Sequence, residues 1–187
     1  EEIIQECPEV SGLFSAPSTV DLAGAEIEIV ADERREYILR EALEPVVSQA
    51  KFDYVFIDCP PSLGLLTLNA LVAAREVLLP IQCEYYALEG LSQLLKTVDL
   101  VKSHLNPDLQ VSAIVLTMYD GRTRLASQVV EEVRTHFGAT VLDTIIPRAV
   151  RVSEAPSHAQ TIITYDPTSS GAIAYREAAA QFAHVGQ

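Results

Sequence analysis

Asp58 closes an apolar run, Phe52-Asp53-Tyr54-Val55-Phe56-Ile57, and is followed by Cys59-Pro60-Pro61-Ser62-Leu63-Gly64 before a helical pattern begins. A carboxylate at the exit of a buried strand can hold Mg²⁺ through its water shell beside the phosphates of a nucleotide. The same carboxylate could instead cap the helix that follows. The two prolines fix successive φ angles and Gly64 lets backbone approach a ligand, so the segment has the makings of a stiff turn. A loop of this kind can be ordered by a terminal phosphate and relax when that phosphate is lost.

Other groups with chemical potential are few. Cys7, Cys59 and Cys83 are an odd number at spacings that match no zinc or disulfide framework, which fits a reducing cytoplasm. His158 has no recognisable paired nucleophile and reads as structural. Tyr85 and Tyr86, after Gln82-Cys83-Glu84, read as anchors of a loop into the next helix, and Ser153-Glu154-Ala155-Pro156 as a turn. No G-x-x-x-x-G-K-[ST] occurs in the sequence, and no two of its eight glycines lie within five residues of each other. No glycine-built backbone nest for phosphates can therefore be assembled from these residues.

The elements that must position Asp58 follow from periodicity. Strand-length apolar runs recur at residues 54–58, 77–82, 111–119 and 140–147, and helical patterns follow the first three. In the third, Ala126, Val129, Val130, Val133 and Phe137 recur at helical spacing, and in the second Leu91, Leu94, Leu95 and Val98 have ordinary core spacing. Strands apolar on both faces, alternating with helices, predict a doubly wound α/β layer: a mostly parallel sheet covered by helices on both faces. Upstream, ERREYILREALEPVV predicts a helix ending near Pro45, and SGLFSAPS a short strand. The closing helix is SSGAIAYREAAAQFAHV, with Ser169 or Ser170 as N-cap. In such sheets ligands bind beyond the carboxyl ends of the strands, so the segments 58–64, 82–86, 118–124 and 147–151 are expected at one edge.

Size and charge bound the remaining possibilities. A chain of 187 residues with 49% hydrophobic content suits one domain with a substantial core, spanning 1–187. No apolar run approaches the roughly 20 residues of a bilayer-spanning helix. The formal charge of −13 argues against a naked nucleic-acid binder, but residues 1–50 hold 12 acidic and 3 basic side chains, so the rest of the chain carries only −4. A local basic patch remains compatible with that balance.

Three stretches, FDYVFIDCPPSLGLLTLNAL, IQCEYYALEGLSQLL, and IPRAVRVSEAPSH followed by YDP, together resemble the ParA/Soj chromosome- and plasmid-partitioning ATPases, of the deviant Walker A class that also holds MinD. The resemblance runs from Ser18–Glu28 to the closing helix. It implies a P-loop NTPase-like fold, with Asp58 as the Walker B acid that holds Mg²⁺ through water and supports catalysis. It also implies a switch loop over Pro60, Pro61 and the residues to Gly64. Met118, Tyr119, Pro147 and Arg148 are implied to close over the adenine of ATP; the residues themselves allow Met118 and Tyr119 simply to finish a core strand. DNA contacts are implied for Arg148 and Arg151, with Arg122 and Arg124 nearby.

The resemblance further implies a nucleotide-sandwich homodimer, non-specific DNA and a ParB-like activator as partners, no membrane, and a cytoplasmic, nucleoid-associated location. Position 149 is alanine where the family commonly has a polar residue, and Ala159 follows His158 where glycine is usual. In the family the phosphate loop and switch I precede the region where this sequence starts, so the expectation is a chain without its N-terminal P-loop unit, unable to hydrolyse ATP alone. Two other readings stay open: a non-catalytic interaction fragment, and an iron-sulfur reductase of nitrogenase iron-protein type using Cys59 and Cys83.

Overall fold

The computed structural model describes residues 3–60, 62 and 64–185. They divide into two compact units, Glu1–Ala74 with His104–Asn106, and Arg75–Ser103 with Pro107–Gln187.

The second unit is built on three parallel strands, β3 (Glu76–Gln82), β4 (Gln110–Tyr119) and β5 (Val141–Pro147), in the spatial order β3-β4-β5. Helix α4 (Ala87–His104) connects the first pair and α5 (Arg124–Phe137) the second. Successive strand side chains point to opposite faces, and both faces are apolar. Leu79, Ile81, Ile114, Leu116 and Val141 pack with Leu91 of α4 and with Ala126, Val129, Val130 and Val133 of α5. On the opposite face Ala113, Leu142 and Ile146 meet Ala174 and Ala178 of α8 (Ser170–Val185). The expected doubly wound α/β layer is therefore formed, with parallel strands clad on both sides. Ser169 caps α8, its hydroxyl accepting from the Ala172 amide at 3.2 Å. Gly138 ends α5 at φ 54°, a conformation that favours glycine, and its amide bonds the Arg134 carbonyl.

Between β5 and α8 lie the short helices α6 (Val150–Glu154) and α7 (Ile162–Tyr165) and a 3₁₀ turn over Ala155–His158. The segment expected as a turn at Ser153–Pro156 is thus helical, because Pro156 falls in the first turn of the 3₁₀ segment where its missing amide costs nothing. Ala159, where a glycine is usual, adopts the left-handed conformation at φ 54° and closes that turn through its amide on Pro156 O.

In the first unit a two-residue antiparallel ladder pairs β1 (Gln5–Glu6) with β2 (Phe14–Ser15), and the helices are α1 (Leu22–Ile29), α2 (Ile38–Ser48) and α3 (Leu65–Ala73). Side chains distant in sequence satisfy the helix ends. Asn69 Oδ1 accepts from the Leu39 amide at the start of α2, at 3.0 Å. Buried Asn106 donates to the carbonyls of Leu71, Val72 and Ala74 at the end of α3, at 3.0, 3.2 and 2.6 Å. Orphan groups at helix ends need such partners once they leave water.

Two expectations are corrected here. The helix expected to stop near Pro45 runs on to Ser48, since proline's fixed φ is helical and only one intrahelical amide bond is forfeited. The strand expected over residues 54–58 is not formed: the segment joins no ladder among the described residues, and Tyr54, Val55 and Phe56 are 56%, 47% and 68% exposed. A strand exists only where a neighbour takes up its amides and carbonyls. Tyr54 and Phe56 still stack on each other, with ring centroids 6.1 Å apart.

Candidate functional site

The loop after Asp58 is held at its far end. Gly64, with extended backbone at φ −76° and ψ −178°, is the N-cap of α3, so Asp58 does not cap that helix. Buried Thr67 donates its hydroxyl to the Ser62 carbonyl at 2.6 Å, and the Leu66 amide donates to Glu26 Oε1 at 3.0 Å. Asp58 itself is exposed and makes no ion pair among the described residues. Desolvation of the Cys59 sulfur, with the Asp58 charge adding to it, pushes that thiol above its ordinary value. Pro61, expected in the switch, lies outside the described residues, and Pro60 is exposed.

In the second unit the exits of β3, β4 and β5 share one edge of the sheet. The Cys83 amide donates to Thr117 O at 2.9 Å, and the Arg148 amide donates to Tyr119 O at 2.9 Å. The Arg148 guanidinium then reaches Glu84 Oε1 at 2.8 Å, joining the β3 and β5 exits. Met118 has φ 55°, rare for a residue with a side chain, and the β4–β5 register shifts between Leu116 and Tyr119. That irregularity breaks the alternation, so the Tyr119 ring packs with the Leu116 face and its hydroxyl lies 3.3 Å from Ser127 Oγ on α5. Tyr119 therefore commits its ring to the α5 side and presents backbone at the edge. Pro147, half-buried, pairs with Tyr119 in the ladder.

Tyr85 and Tyr86 do not anchor the following helix, contrary to the sequence reading. They are 70% and 78% exposed and pack edge-to-face on each other at 5.4 Å. Amphipathic rings that meet each other can leave their hydroxyls in water without an apolar socket.

Three of the four candidate arginines face carboxylates. Arg122 forks onto Asp120, with Nε 2.9 Å and Nη2 2.7 Å from its two oxygens. The Arg122 side-chain bonds, aided by its amide, hold the Asp120 carboxyl well below the usual carboxylate range, and Arg122 is raised in return. Arg148 faces Glu84, as above. Arg151 lies 3.1 Å from Glu154 and 3.7 Å from Asp166, its guanidinium 5.9 Å from the Tyr165 ring centre; the Glu154 charge is the main reason it is raised. His158 stacks on the same Tyr165 ring, with centroids 4.9 Å apart, in keeping with a structural role. Arg124, exposed at the first turn of α5, forms no ion pair among the described residues.

Residues 1–111 match the AAA domain family. The chain is 56% identical over 177 residues to the sporulation initiation inhibitor protein Soj of Bacillus subtilis, covering 95% of this chain and 69% of that protein. It is 58% identical over 167 residues to the chromosome partitioning protein ParA of Myxococcus xanthus, covering 89% of this chain and 58% of that one. The chain belongs to the ParA/Soj family. Among solved structures, cobyrinic acid a,c-diamide synthase from Mycobacterium smegmatis with bound ADP and magnesium superposes with a TM-score of 0.78 at 38% identity, covering 100% of this chain and 67% of that one. Against the ParA of M. xanthus, this ParA/Soj chain spans well under two thirds of the relative's length.

Nucleotide and magnesium use in the family can be compared with the donors present. The Asp58 carboxylate, exposed and without an ion-pair partner among the described residues, suits a hydrated cation. Pro147 and the irregular backbone at Met118 offer apolar surface and main-chain groups of the kind that receive a planar base. Cys83 is buried at 4% exposure in the second unit's core, with its thiol raised by desolvation, and Cys59 is an exposed residue of the first unit. The sequence reading passed over Glu26 and Glu84 as site residues. Their partners lie 40 and 64 positions away, at separations no local pattern reports.

Proposed function

We propose that these residues belong to a single ParA-type partitioning ATPase domain, with Asp58 as the acid that holds hydrated Mg²⁺. The observation that carries this reading is Asp58 itself: an exposed carboxylate free of ion-pair partners among the described residues, in a chain 56% identical to Soj. Its loop ends on a helix secured by Thr67 and Glu26. Met118, the Tyr119 backbone, Pro147 and Arg148 flank the base of ATP, and Pro60 and Pro61 shape the switch. Mg-ATP supplies the charged terminal phosphate to which such a loop responds. These residues carry no glycine-built phosphate cradle, so turnover requires a segment that brings one.

In the complete assembly the reading includes nucleotide-dependent homodimerisation, contact with DNA irrespective of sequence through Arg122, Arg124, Arg148 and Arg151, stimulation by a ParB-like activator, and a cytoplasmic site of action at the nucleoid. Sedimentation velocity on a fusion that places a family phosphate-loop segment ahead of these residues tests it. The expected result is a dimer with Mg-ATP and a monomer with Mg-ADP or with Asp58→Ala. A sedimentation coefficient indifferent to nucleotide removes the proposal.

A further inference from the structure

Helix α3 begins at a residue that cannot cap it. An N-cap usually supplies a side-chain oxygen to the amide of the second or third helical residue, and glycine has none. Gly64 occupies that position. The missing oxygen comes from forty residues upstream: Glu26, half-buried on α1, accepts from the Leu66 amide at 3.0 Å. Its carboxylate sits in the volume a side chain at position 64 would occupy, because a Cβ built on Gly64 collides with Glu26 Oε1. An anion at a helix N-terminus is also favoured by the helix dipole.

We propose that Glu26 is a positioning residue for the loop from Asp58 to Gly64, lending α3 the cap that Gly64 lacks and tying the loop's end to α1. A side chain at position 64 would push the borrowed carboxylate out of its present place. The significance of the tie rests on the reading of Asp58 as the magnesium-holding acid, since the loop so held is the one that presents it. Thr67, through its bond to Ser62 O, holds the same loop end from inside α3, so the fixed point is shared between two elements.

Residue-resolved amide hydrogen exchange on the 187-residue chain tests this. Glu26→Ala is expected to speed exchange at Leu66 roughly five- to tenfold, the loss of a typical cap, and to speed exchange at Cys59 and Ser62, while amides of β4 keep their rates. Glu26→Gln, which retains the accepting oxygen, is expected to restore protection. Gly64→Ser placed in the Glu26→Ala chain is expected to restore Leu66 protection too, since the serine hydroxyl fills the vacated space. Unchanged Leu66 exchange in Glu26→Ala overturns the proposal, and so does an effect confined to Leu66 that leaves Cys59 and Ser62 unmoved. Failure of Gly64→Ser to rescue, in a chain with unchanged circular dichroism, overturns it as well. The magnesium reading is tested apart, by Asp58→Ala in the fusion: if that variant keeps nucleotide turnover while Glu26 still governs Leu66, the reading of Asp58 falls and the positioning role stands.

Discussion

Arg148 and Glu84 join two strand exits that are not neighbours, the guanidinium of one reaching the carboxylate of the other at 2.8 Å while β4 runs between their strands. Both side chains are 53% exposed, so water screens the pair and its share of stability is small. Glu84→Gln is expected to lower unfolding stability by less than about 1 kcal/mol in chemical denaturation. A loss of several kcal/mol would show that the edge is a structural strut rather than a presented surface.

The stability of the second unit should instead reside where its strands are buried on both faces. Leu116 is 0% exposed in the cluster that joins β4 to α4 and α5. Leu116→Ala is expected to cost about 3 kcal/mol, by lost burial and the cavity left behind, measured as a fall in denaturation midpoint at unchanged slope.

Asp120 offers a pH test. Its folded pKa lies below the 3.8 of an unperturbed group, chiefly because Arg122 bonds the charged form. A depressed pKa contributes to the folded state above 3.8 and loses that contribution as pH falls through the folded value. The carboxyl carbon resonance of Asp120 should therefore titrate with a midpoint below 3.8, and Arg122→Ala should move the midpoint back up. A midpoint at or above 3.8 in the unsubstituted chain would mean that the fork onto Asp120 does not persist in solution.

The arginines should not be equal in binding DNA. Arg122 already faces Asp120, and Arg151 faces Glu154 and Asp166, whereas Arg124 has no acidic partner among the described residues. In the phosphate-loop fusion with Mg-ATP, Arg124→Ala is expected to weaken duplex binding several-fold and to reduce the log–log salt slope by about one, as loss of one phosphate contact should. Arg122→Ala is expected to do less. Fluorescence anisotropy across a salt series measures both, and equal, negligible effects would remove this edge from the DNA contact.

Much of the architecture was legible because periodicity reports burial. Three of the four expected strands formed at their apolar runs, and Ala126, Val129, Val130 and Val133 are buried at the spacing that predicted them. Residues 54–58 failed for a physical reason: apolar composition states what a segment would bury, while a ladder also needs a neighbour, and none of the described residues supplies it. The edge that gathers Tyr119, Pro147 and Arg148 was legible from the rule that parallel strands exit together. Its polar connections were not, since Arg148 finds Glu84, and Leu66 finds Glu26, only after distant segments have packed. The positive φ of Met118 was not legible, because nothing in its chemistry asks for that conformation.

The central claim is that Asp58 is the acid of a magnesium nucleotide site whose phosphate cradle must be supplied by a further segment. Steady-state Mg-ATP hydrolysis by the 187-residue chain, by its fusion to a family phosphate-loop segment, and by that fusion carrying Asp58→Ala tests it most directly. The account predicts no turnover by the chain alone, turnover by the fusion, and a loss of at least about a hundredfold with Asp58→Ala. Turnover by the chain alone, or a fusion whose rate is indifferent to Asp58→Ala, would contradict it.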